Sequence, residues 1–161
     1  MRDEFHTSLN KKNYLRMKKQ IFLAGLFLTI FSYGFSLSAQ TGEVRMINAA
    51  QFKQLVWNYD KSSSVHLESK LPVIVDFFAT WCPPCKRLSP LVDQLQREFR
   101  GKVVIYRVDV DKDAALTQRM GIQAMPTLIF FSKNNTKYSS VGFLDYPELK
   151  QMAITKLSLR K

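Results

Sequence analysis

A chain of 161 residues, 46% of them hydrophobic, can bury the core of one ordinary domain and is too short for two. The formal net charge of +11 is partly a property of the first 39 residues, and without them 18 basic and 11 acidic residues remain, a net +7. Those basic residues are scattered and sit in no nucleic-acid motif, which excludes a nucleic-acid partner and leaves a solvated surface with a weak preference for acidic partners.

Residues 1–39 carry a basic run (Lys11, Lys12, Arg16, Lys18, Lys19), then an apolar block from Ile21 to Phe35, then small and polar residues from Ser36 to Gln40. That is the layout of a secretory signal peptide. The block is shorter than the roughly 20 residues that span a bilayer as a helix. Cleavage after Ala39 would leave a domain at 40–161 in the periplasm or secreted. The alternative is an uncleaved anchor, with the block running on to Leu37 and the domain facing the periplasm. Met17, followed by Lys18 and Lys19, would itself open a compact signal peptide and make residues 1–16 an upstream extension.

One continuous domain follows, without internal repeats. Val44 to Ile47 reads as a short strand, and Phe52, Leu55 and Val56 recur at helical spacing, predicting a first helix that ends near Asn58. The Ser62-Ser63-Ser64 run is a loop. Val73 to Phe78 is a nearly unbroken apolar run with β-branched and aromatic residues, as expected of a central strand covered on both faces, and Asp76 is the anomaly in it. Leu88, Leu91, Val92, Leu95 and Phe99 lie on one face of a long helix, with Pro90 inside it as a kink.

Val103 to Val110 is the next strand, and Asp113 is expected to cap a short helix that Gly121 ends. Thr127 to Ser132 and Lys137 to Val141 form a hairpin around Asn134-Asn135. Asp145 and Glu148 have capping-box spacing before a last helix carrying Leu149, Met152, Ala153 and Leu157. The predicted order is βαβαβαββα, an α/β domain with a central mixed sheet and helices on both faces.

Trp81-Cys82-Pro83-Pro84-Cys85-Lys86 stands between the buried strand and the kinked helix. A disulfide exchanger needs an exposed thiol that ionises near neutral pH, and the unpaired N–H groups and positive end of a helix start favour the thiolate. Cys82 is placed for that role, and Cys85, one turn on, can attack the mixed disulfide from inside. Pro84 suits the first helical turn; Pro83 stiffens the loop and removes another donor. Half of a zinc site, a static structural disulfide and two unrelated buried cysteines are the other readings of this pair. Zinc would need two further ligands, and the only histidines are His6 and His66.

Across 44–158 the chain resembles the thioredoxin family. The stretch Phe77 to Lys86 looks like the family's active site, with Pro83 where thioredoxins proper usually carry Gly, and Pro90 matches the family's helix kink. Met125-Pro126-Thr127 is similar to its cis-proline loop, and Gly142 to the glycine where its substrate groove closes. The resemblance implies a thioredoxin fold, and a substrate surface of Trp81, Pro83, Met125, Pro126 and Gly142. It also implies that Asp76 is the buried acid that takes the proton of Cys85, that Arg107 stands where a paired lysine is often found, and that Pro84 and Lys86 support the site. Cys85 and Pro126 are only 41 positions apart, which leaves no room for the helical insertions of DsbA-like oxidases or of TlpA- and ResA-type reductases.

The expectation is therefore an exported thiol:disulfide oxidoreductase, a monomer without metal or cofactor, that reduces disulfide-containing proteins through Cys82 and Cys85. A DsbD-like membrane protein would be its electron donor. The alternatives are an oxidase or isomerase, and a binding module that uses Trp81, Pro83, Met125 and Phe143 without turnover.

Overall fold

The computed structural model describes residues 42–159; the predicted signal peptide, its cleavage site and the Met17 start lie outside the described residues. The elements in chain order are β1 (Arg45–Met46), α1 (Ala49–Leu55), β2 (Val73–Phe78), α2 (Pro83–Glu98), β3 (Val104–Asp109), α3 (Ala114–Met120), β4 (Thr127–Phe131), β5 (Lys137–Val141) and α4 (Tyr146–Leu157). They form one five-stranded sheet in the order β1-β3-β2-β4-β5. The first three strands run parallel, and β4 and β5 run antiparallel to their neighbours. This is the mixed sheet of a thioredoxin fold.

Alternation along β2 divides the core. Val73, Val75 and Phe77 face a layer that holds Phe52 of α1 and Leu116 and Met120 of α3. Ile74 faces the other layer, with Leu88, Val92 and Leu95 of α2 and Leu149, Ala153 and Leu157 of α4. Because both faces are covered, β2 reads as a continuous apolar run, and Asp76 lies in register with Arg107 of β3 and Leu128 of β4.

Local chemistry sets most boundaries. Asn48 and Gln51 form a capping box at the start of α1, and Asp145 and Glu148 form one at the start of α4. Gly121 ends α3 in the left-handed region at φ 73°. Two expectations need correction. The first helix stops at Leu55 rather than near Asn58, where Val56 and Trp57 turn into the core. Asp113 occupies the N-cap position of α3, but its side chain makes no cap hydrogen bond there; Oδ1 accepts from the Ala49 N–H at 3.2 Å and ties α1 to α3.

Gln96 of α2 is buried, and its side chain supplies partners at the start of β3: Nε2 donates to Val103 O at 3.1 Å and Oε1 accepts from Ile105 N at 2.6 Å. A buried backbone group left unpaired costs its full desolvation. Gln96→Leu is therefore expected to lower the unfolding free energy by about 2–4 kcal/mol in denaturant titrations, and a loss below about 0.5 kcal/mol would mean the two groups find other partners.

Candidate active site

The site is built where β2 runs out into α2. Cys82 is the N-cap of α2 in an extended conformation, Pro83 and Pro84 fill the first two helical positions, and Cys85 is third. Since proline carries no N–H, the first donor of the helix is that of Cys85, and it points at Cys82 Sγ at 3.2 Å. The two sulfurs are joined in a disulfide, with the Cα atoms 5.3 Å apart.

In the disulfide Cys82 is 3% exposed and Cys85 4%, both packed into the layer of Val75 and Phe77. As the cap, Cys82 folds its side chain back over the first turn and onto its partner. Access comes from the frame instead. Trp81, 63% exposed, precedes the pair, Pro83 is exposed within it, and Pro84 is half-buried. The Trp81 indole is held by its Nε1–H, which donates to Asp111 Oδ2 at 2.8 Å.

The second wall is the loop before β4. The Met125–Pro126 bond is cis, Met125 is half-buried against the layer that holds the cysteines, and Pro126 O accepts from Gly142 N at 2.8 Å. Gly142 follows β5 with φ 94°, a conformation open to glycine and strained for other residues. The structure thus joins Met125 to the layer of Cys82 and Cys85 and Pro126 to Gly142, with Trp81 and Pro83 exposed beside the cysteines, while Lys86 stays exposed on α2.

Asp76 lies on the other face of β2, beneath α2, and is 2% exposed. Arg107 reaches it from β3, donating from Nε to Asp76 Oδ2 at 3.2 Å and from Nη2 to Ser89 O of α2 at 2.7 Å; Nη2 also lies 3.4 Å from Asp93 Oδ1. Ser89 is one helical turn beyond Cys85, so the pair binds the acid to the cysteine-bearing helix. Asp76 Oδ1 is buried with no hydrogen-bond partner among the described residues. Burial pushes the carboxyl up to about 6, and Arg107, by charge and hydrogen bond, holds it from rising further. It can therefore accept a proton near neutral pH. Among the described residues no group of three or more His, Cys, Asp and Glu is placed to hold a metal.

A family model described as Thioredoxin matches residues 43–155. The M-type chloroplastic thioredoxin of Spinacia oleracea is 35% identical over 100 residues, 62% of this chain and 50% of that protein. A thioredoxin of Rickettsia felis is 40% identical over 76 residues, covering 47% of this chain and 72% of its own length. This chain thus spans half the length of the first relative and under three quarters of the second. Among solved structures, the thioredoxin of Malassezia sympodialis superposes with a TM-score of 0.58 at 37% identity, over 74% of this chain and 95% of that one.

Two outcomes follow from the geometry. In the reduced protein Cys82, outside the helix and framed by exposed residues, is expected to react with iodoacetamide at least about tenfold faster than Cys85 at pH 7; equal rates would contradict the roles assigned to them. For Asp76, a folded pKa raised from 3.8 to about 6 means that the folded state binds the extra proton between those values, so the carboxyl's contribution falls as pH rises through them. Asp76→Asn should stabilise the oxidised protein by about 1–2 kcal/mol at pH 8, less than the full shift implies because Arg107 loses its partner, and by little at pH 4. Denaturant titrations showing a loss at pH 8 would make Asp76 a structural hydrogen-bond partner.

Proposed function

The chain belongs to the thioredoxin family, and we propose that it is a thiol:disulfide oxidoreductase that reduces disulfides in other proteins. The observation that carries this reading is the Cys82–Cys85 disulfide at the first turn of α2, flanked by the exposed Trp81 and Pro83.

In the reduced form, the Cys82 thiolate attacks one sulfur of a substrate disulfide. The substrate S–S bond breaks, a mixed disulfide forms, and the departing thiolate takes a proton from water. Cys85, deprotonated through Asp76, then attacks Cys82 Sγ. The Cys82–Cys85 bond forms, the second substrate thiol leaves, and two electrons have passed from the protein to the substrate. Asp76 suits the second step because its carboxyl titrates at about 6 and Arg107 ties it to Ser89, one turn beyond Cys85 on the same helix.

Reduction is favoured over oxidation by the two prolines. A strong oxidant stabilises its thiolate form, whereas the first two positions of α2 offer Cys82 no N–H and leave Cys85 as the first donor. The extended segment of the substrate lies along Trp81, Pro83, Met125 and Gly142. For location we propose the cell envelope, from the signal-like layout of residues 1–39. A reductase there needs electrons carried across the membrane, the part that a DsbD-like donor would play.

The purified dithiol protein is expected to accelerate the reduction of insulin by dithiothreitol, read as precipitation of the free B chain, with Cys82→Ser falling to the uncatalysed rate. Precipitation no faster than with dithiothreitol alone would overturn the oxidoreductase reading.

A further inference from the structure

Among the described residues four large apolar side chains are exposed, and three of them, Trp81, Val141 and Phe143, directly flank Cys82 or Gly142 in sequence. Phe143 carries a cation on its face: the Arg87 guanidinium carbon lies 5.2 Å from the ring centroid. Lys86 and Arg87 directly follow Cys85, both are exposed, and neither enters an ion pair among the described residues. Cations near the start of a helix run against its dipole, so the helix itself does not favour their position. Such departures from local preference gather at functional sites.

The acids that hold Trp81 or follow Phe143 in sequence keep their charge but are turned towards N–H donors of their own. Asp111 receives the Trp81 indole, and Asp145 and Glu148 cap α4 reciprocally. Beside Phe143 the structure places the Arg87 guanidinium over the ring, with exposed Lys86 next to it in sequence.

We propose that Arg87, with Lys86, makes this rim a selectivity element for acidic protein segments. A substrate lays an extended stretch with Asp or Glu next to its cysteine against Phe143 and Arg87 while Cys82 reaches the disulfide. The proposal rests on the thiol:disulfide reading and narrows it to a substrate class. Charge complementarity at a docking rim acts mainly on the rate of encounter and is screened by salt.

The test compares two versions of one disulfide-bonded peptide, with Asp or with Lys flanking the cysteine, each rate normalised to that with dithiothreitol. The reduced protein is expected to favour the acidic version by about five- to tenfold at low ionic strength, and the preference should shrink towards one at about 0.5 M salt. Arg87→Glu should abolish or invert it. A native ratio near one, or the same ratio in Arg87→Glu, overturns the selectivity role and leaves the oxidoreductase reading standing. No reaction with either peptide overturns that reading and the proposal with it.

Discussion

A helix that starts at the end of a central strand has N–H groups with no partner inside the helix. Here the first such group not replaced by proline points at a sulfur, from Cys85 to Cys82 Sγ. The other parts of the site are arranged around that contact. β2 ends there because Ala79 and Thr80 lead into the cap, α2 packs Leu88 and Val92 onto the sheet so that its start cannot drift, and the cis Met125–Pro126 loop closes the far side through Gly142.

The same helix is fastened from below by a charge. An acid on a strand covered on both faces is costly unless it is paired, and Arg107 meets Asp76 while also holding the backbone of α2 at Ser89. One guanidinium thus joins β2, β3 and α2. Burial outweighs the guanidinium, and the carboxyl therefore stays near 6 rather than locked in its charged form. A fully satisfied acid would be a poor proton acceptor at this position.

How much of this was legible in the sequence depended on the range of the interaction. β2 and β5 run over the predicted residues, and β4 ends one residue short of Ser132, because a continuous apolar run and the Asn134-Asn135 turn are local signals. The cysteine pair, the cis proline and the position of Asp76 were read from a motif in which several neighbours agree. What escaped depends on contacts between distant segments: the swing of Asp113 onto Ala49, the grip of Asp111 on Trp81, the service of Gln96 to β3, and the stacking of Arg87 on Phe143.

The central claim is a division of labour in which Cys82 attacks and Cys85 releases. It is tested most directly by mixing reduced Cys85→Ser with insulin and following covalent adducts by mass spectrometry under non-reducing conditions. The account predicts a stable mixed disulfide through Cys82 that dithiothreitol dissolves, and none with Cys82→Ser. Equal capture by Cys85 in the Cys82→Ser protein, or no adduct in either, would contradict it.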